Sequence, residues 1–358
     1  MIAFDFFCGG GGLSKGLELA GIEVIAGFDI IEGYRATYEH NHQAQFICAD
    51  IRDIDKQTLT HLYPRLRWNK HNLLLAGCAP CQPFSSQQKN PRNHNDRTLL
   101  DSFGRIVDEV KPGFVLLENV PGIISRGEDV FQRFLNTLTE NQYYYYYGVL
   151  NAKNYGVPQN RRRFILIASR YIRPEFPATI HGANLLPYVT VREAIAQYPP
   201  IGVGETHPTV PNHQAAIVSE LNLERLMNTP QSGGSRTDWP ERLFLECHKG
   251  TYTGHTDVYG RMDWEKVAPT LTSKCCSISN GRYGHPVQNR AISFREAARL
   301  QSFDDNYIFF GSPQSVCRQI GNAVPVQMAR VLGENILDLR ARAQIRGQYI
   351  PCNPDRPV

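Results

Sequence analysis

The sequence predicts an α/β fold, with a mostly parallel sheet covered by helices on both faces and a smaller second domain set into the chain after it. Three observations carry this prediction. Seven short apolar runs of β character alternate with helical stretches across residues 1–170. A glycine cluster, CGGGG (8–12), follows the first run directly. Between about 171 and 290 the texture changes: Pro, Gly, His, Asn and Thr become frequent and helical periodicity fades.

In chain order the strand candidates are IAFDFF (2–7), EVIAGFD (23–29), FICAD (46–50), NLLLAG (72–77), FVLLEN (114–119), YYYYGVL (144–150) and FILIAS (164–169). Helical spacing between them, as in LSKGLELAG, EGYRATYEH and LLDSFGRIVDEV, implies parallel strands with helical crossovers. In such sheets the working residues sit beyond the carboxyl ends of the strands. That rule selects Cys8–Gly12, Asp29, Asp50, Cys78–Ser85 and Glu118–Gly122. The changed segment reads as irregular or β-rich, and QSGGSRTDWP (231–240) as a loop. Helical pattern returns in ISFREAARLQ (292–301) and PVQMARVLGENILDLRARA (325–343), which are expected to pack back on the first domain. Residues 346–358 read as a tail.

Composition narrows the class without naming a function. At 358 residues, about two domains are expected on a prior of ~150 residues each. A hydrophobic share of 42% against 20% charged residues argues against a disordered chain. No apolar run approaches the roughly 20 residues of a membrane span. MIAFDFFCGGGG lacks the basic start of a secretion signal. The odd number of cysteines, nine, suits reduced thiols in a cytosolic protein. A net charge of +4 permits a nucleic-acid partner but does not establish one.

Glycines between a first strand and a first helix let backbone N–H groups approach a ligand at the helix N-terminus. Asp29, ending the second strand, is placed for ribose hydroxyls, and Asp50, after the third, for an adenine amino group. These features fit any adenine-containing cofactor, with NAD and S-adenosylmethionine both open. Cys78-Ala79-Pro80-Cys81 allows half a zinc site, a redox pair or a single nucleophilic thiolate at Cys81. The Cys275-Cys276 doublet has the wrong spacing to complete a zinc site, so no metal is expected.

Taken together, the motifs resemble those of the DNA (cytosine-5) methyltransferases of the bacterial modification type. FDFFCGGGGLSKG is similar to the family's first motif, which implies cofactor contacts at Phe7, Gly9, Gly11 and Gly12. Asp29 and the Asp50-Ile51 pair match its ribose and adenine contacts. APCQPFS (79–85) resembles the PCQ motif, with Cys81 as nucleophile, Pro80 beside the cofactor, and Gln82 and Ser85 toward DNA. ENV (118–120) matches the glutamate motif, and QNRRR (159–163) the Q-x-R-x-R pattern through Gln159, Arg161 and Arg163. REAARLQSF (295–303) and QIGNAVP (319–325) match the closing motifs, with Asn322, Ala323 and Val324 toward the cofactor. Thr270, in APTLT, matches a family threonine at the cleft. The resemblance covers residues 2–170 and about 260–340.

The implied fold is a Rossmann-like S-adenosylmethionine-dependent sheet, with residues 1–170 catalytic, 171–268 target-recognising and 269–345 carrying the closing motifs. The implied reaction moves a methyl group from S-adenosylmethionine, leaving S-adenosylhomocysteine, to carbon 5 of a flipped-out cytosine. Cys81 would add to carbon 6, Glu118 would work at N3 with a raised pKa, Arg163 would hold O2, and Arg161 would orient that group or the cysteine loop. Side-chain alternation in RRRF puts Arg161 and Arg163 on one face. Arg236, in QSGGSR, is the expected base contact. The expected partner is double-stranded DNA, with no membrane, acting as a monomer in a prokaryotic cytoplasm and paired with a restriction endonuclease of the same specificity. Asp29 where Glu is commoner, Ile30 after it, Cys8 and Gly10 in the glycine loop, Thr98 where Gly is frequent and QSFDD without its usual proline are the departures. An RNA cytosine-5 methyltransferase would lack so long a recognition segment. A silent DNA-binding regulator would not need Cys81, Glu118 and Arg163, and an NAD dehydrogenase would leave PCQ, ENV and QNRRR unexplained.

Overall fold

A computed structural model describes residues 1–80, 95–248 and 257–347. Two compact units emerge. The first comprises residues 1–151, 162–179 and 328 onward, and the second residues 152–161 and 180–327.

The first unit is built on a seven-stranded sheet in the order β3-β2-β1-β4-β5-β7-β6. Its strands are β1 Ile2–Phe6, β2 Glu23–Asp29, β3 Gln45–Cys48, β4 Leu73–Gly77, β5 Phe114–Asn119, β6 Tyr144–Asn151 and β7 Arg162–Ser169. All seven expected strands are present, each within two residues of the expected ends at either side. The five leading strands pair in parallel, whereas β7 runs antiparallel to both β5 and β6. Continuous apolar runs such as LLLAG and FVLL are what a sheet buried on both faces requires.

Pleating sorts the side chains. Ile2, Phe4 and Phe6 of β1 point into a core shared with α5 (Leu99–Val110) and α7 (Glu128–Glu140). Phe6 and Phe103 rings meet edge-on at 5.5 Å. The opposite face carries α1 (Gly12–Leu19) and α12 (Val326–Ile345). These two pack so closely that a Cβ on Gly333 would lie 2.7 Å from that of Ala20. Between them in the chain come α2 (Arg35–Asn41), α3 (Lys56–Leu62), α4 (Leu66–Asn69) and α6 (Ile123–Arg126). Among the described residues no helix is long and apolar enough to cross a membrane.

The second unit has four α-helices, α8 (Val191–Ile195), α9 (Glu220–Met227), α10 (Phe294–Leu300) and α11 (Pro313–Asn322), and among its described residues only isolated β-bridges. Of the two textures expected, irregular is the one observed. Buried arginines do much of the work that strand pairing would do. Arg261 donates to the carbonyls of Leu226, Thr229, His285 and Gln288. Arg295 donates to those of Pro211, Asp304 and Tyr307. Arg290 forms a buried bidentate pair with Glu296, both bonds 2.7 Å, and Glu296 also caps α10. Loop carbonyls that lack a strand partner are costly to bury, and a guanidinium with five donors satisfies several at once. The unit boundaries differ from the expected ones, since residues 269–327 cluster with the irregular unit and the first unit resumes only at Met328.

Candidate active site

The glycine loop leaves β1 through left-handed backbone. Phe7 has φ 61°, Gly9 54° and Gly11 83°. The strained Phe7 is the costlier of these, since a side chain in that region loses about 1–2 kcal/mol. Asp29 holds the loop: its two carboxylate oxygens accept the N–H groups of Gly9 and Ile31, each at 2.9 Å. Burial pushes its pKa up, and these amide donors oppose the rise. Space above Gly9 is open, with nothing within 4 Å of an added Cβ. Beside Asp29, Ile30 is 63% exposed at the carboxyl end of β2. Asp50 caps the turn after β3 by accepting the Arg52 N–H, while the Ile51 side chain belongs to the core.

One residue of this loop was not singled out from sequence. Asp5, inside β1, is fully buried and accepts both the N–H and the hydroxyl of Ser14, at 3.1 and 2.6 Å. Ser14 Oγ in turn meets the Tyr38 hydroxyl at 2.8 Å. Tyr38 lies over Gly27, where any side chain would collide with its ring. Burial pushes the Asp5 carboxyl up to about 7. The clue was an acid in an otherwise apolar strand, FDFF.

At the carboxyl end of β5, Glu118 is 8% exposed and pairs with Arg163 Nε at 3.0 Å. The register explains the meeting: Glu118 opposes Ile165 of β7, and Arg163 lies two residues away on the same face. Arg163 Nη1 donates to the Arg162 carbonyl. Next to the pair, buried Asn119 donates to the Ala79 carbonyl at 3.1 Å and accepts the Val120 N–H. ENV is thereby tied to the chain two residues before Cys81. Cys81, Gln82 and Ser85 themselves lie outside the described residues; Pro80 is the last described position before them.

Arg161 and Arg163 do not share a face. β7 begins at Arg162, and Arg161, 1% exposed, sits in the second unit. Its guanidinium donates to the carbonyls of Leu271, Gly321 and Ala323. Gln159 joins the same knot, accepting the Leu271 N–H and donating to Leu300 and Gln301. Thr270 donates to the Asn160 carbonyl at 2.6 Å. Gln159 is fully buried, and Thr270 is partly exposed. Arg236, the expected base contact, is 6% exposed. Of the closing trio, Asn322 is exposed, whereas Ala323 and Val324 are buried.

The comparison with known proteins decides which chemistry this arrangement serves. The model of the C-5 cytosine-specific DNA methylases matches residues 1–338. The chain belongs to that family. Type II methylase M.HgiDII of Herpetosiphon aurantiacus is 41% identical over 340 residues, covering 93% of this chain and 94% of the relative. Type II methyltransferase M1.HphI of Haemophilus parahaemolyticus is 32% identical, covering 94% and 86%. An E. coli prophage protein described as a DNA modification methyltransferase has the same fold, with a TM-score of 0.74 at 21% identity over 95% of this chain and 99% of its own. The reaction of this methylase is thus methylation of cytosine carbon 5 in DNA, and its Type II relatives are bacterial.

Proposed function

We propose that this chain methylates one cytosine of a short DNA sequence through a covalent adduct at Cys81, and that it protects host DNA from a restriction endonuclease of the same specificity. The observation that carries the catalytic part is the Glu118–Arg163 pair at the end of β5, with Asn119 holding the strand that leads to Cys81. The Type II names of the relatives support the protective role.

S-adenosylmethionine fits the first unit. Left-handed backbone at Phe7, Gly9 and Gly11, open space over Gly9, and the exposed Ile30 next to Asp29 suit a ligand with a ribose and an apolar adenine face. Phe7, Gly9, Asp29 and Asp50 would hold it, with Gly11 and Gly12 shaping the loop. When bound, it supplies an electrophilic methyl group.

Carbon 5 of cytosine is a poor nucleophile until the ring loses its aromaticity. The Cys81 thiolate adds to carbon 6, and Glu118 donates a proton at N3 as the electron pair moves into the ring. Arg163 stabilises the negative charge that develops on O2. The C5–C4 bond of this adduct is an enamine, and C5 takes the methyl group. A base then removes the C5 proton, Cys81 leaves as thiolate, and the N3 proton returns to Glu118. None of this geometry is reachable inside a duplex, so the cytosine turns out of the stack at a cost of a few kcal/mol. Residues 171–268 are the proposed target reader, of which 180–268 fall in the second unit.

The test is transfer of label from S-adenosylmethionine to unmethylated genomic DNA, with modified bases mapped by bisulfite sequencing. Label in 5-methylcytosine at one short motif is expected. Label in RNA alone, or none in either polymer, would overturn the proposal.

A further inference from the structure

Three sulfurs meet inside the second unit. Cys275 and Cys276 converge with Cys317 of α11, 42 residues beyond Cys275, and all three sulfur atoms lie within 4.8 Å of one another. Cys275 Sγ and Cys276 Sγ stand 3.9 Å apart. Sulfurs that share one ion at about 2.3 Å stand ~3.8–4.0 Å apart in tetrahedral or trigonal geometry. A disulfide would require about 2.05 Å, and all three cysteines are free.

We propose that Cys275, Cys276 and Cys317 form a three-thiolate site for one thiophilic divalent d10 cation, zinc being the natural occupant and cadmium a probe. Thiolates select such ions over magnesium or calcium, which demand oxygen ligands. Leu271, Tyr283, Val316 and Ile320 belong to the same apolar cluster as the three cysteines. Binding replaces three thiol protons by one ion, leaves a net charge of −1 on the cluster and releases the protons to solvent. Three protein ligands leave a fourth position to water or a small thiol.

The site would act on structure. Cys275 and Cys276 follow the Leu271 segment that Arg161 holds, and Cys317 sits one turn before Gly321, whose carbonyl Arg161 also holds. An ion there would fasten the same loop to the same helix by a second, independent clamp. Because unfolded chain lacks the preformed site, occupancy raises the melting temperature.

The experiment uses the full chain in a Cys78→Ser, Cys81→Ser background, reduced with a phosphine and stripped with a chelator. It is titrated with Cd(II) while sulfur-to-metal absorbance is followed, and zinc content is measured after equilibration and desalting. One equivalent of either metal is expected, with a zinc-dependent rise in melting temperature. Both are lost in Cys317→Ser and Cys276→Ala, and both survive in Cys48→Ser, Cys247→Ser. No retained equivalent in the parent, or equal retention in the cluster variants, overturns the site. If those variants fail to fold, zinc-edge X-ray absorption of the parent decides. Three sulfur neighbours at about 2.3 Å support the site, and a shell of nitrogen and oxygen overturns it.

Discussion

Glu118 and Arg163 lie on one face because antiparallel pairing of β5 and β7 puts them there, and the proposed reaction uses both on one base. Glu118→Gln keeps the shape but removes the titrating proton, so single-turnover methyl transfer should fall about 10²–10⁴-fold. Binding of S-adenosylmethionine, measured by calorimetry, should stay near wild type; equal transfer rates would remove Glu118 from the chemistry. Asp5 gives a second test. Its carboxyl ionises near pH 4 in the unfolded chain and at about 7 in the folded one. The folded state therefore holds the extra proton between those values, and that contribution to stability is present at low pH and lost as pH rises to 7. Denaturant midpoints should show wild type losing stability relative to Asp5→Asn over this window. A constant difference would contradict the assignment. Asp5 was invisible as a site residue because periodicity marks β1 as buried, and only the fold shows that the acid faces Ser14 and Tyr38.

At the level of elements, β2 to β5 were readable because each is a short, largely apolar run closed by Asp, Cys, Gly or Asn, and parallel burial leaves little other use for such runs. The second unit was not, since its order comes from side chain to backbone bonds between residues far apart in sequence. Arg161 looked like a neighbour of Arg163 by alternation. Strand geometry starts one residue too late for that, and the guanidinium instead gathers Leu271, Gly321 and Ala323. Arg161→Met should take this donor from the Leu271 and Gly321 carbonyls, leave Ala323 with Gln301 alone, and lower stability by about 2 kcal/mol or more, at ~1–3 per buried unpaired group. Thermal melting checks this, and an unchanged midpoint would return Arg161 to a role at the substrate. Gly321 has a related constraint, because a Cβ there would lie 1.9 Å from the Thr272 carbonyl. Gly321→Ala should therefore cost roughly 1–3 kcal/mol by the same measurement.

Across the whole molecule the two units differ in how they are held together: a sheet with layered apolar faces in one, buried guanidinium groups and short helices in the other. The internal use of Arg161, Arg261, Arg290 and Arg295 removes them from the charge available to phosphates. Exposed Arg192, Lys266, Lys274 and Arg318 remain in the second unit. Binding to duplex DNA should still weaken steeply with salt, by roughly 10³-fold or more between 50 and 200 mM if six or more phosphates are neutralised. A flat salt response would argue against the second unit as target reader. The covalent step is the centre of the account, and it can be caught directly. In DNA made with 5-fluorocytosine, fluorine replaces the C5 proton and cannot leave as a cation, so the reaction stops at the adduct. Incubated with S-adenosylmethionine, the enzyme should form a denaturation-resistant complex whose cross-linked peptide, read by mass spectrometry, contains the base on Cys81. Attachment at Cys78 or elsewhere, or no adduct from an enzyme that methylates ordinary DNA, would contradict it.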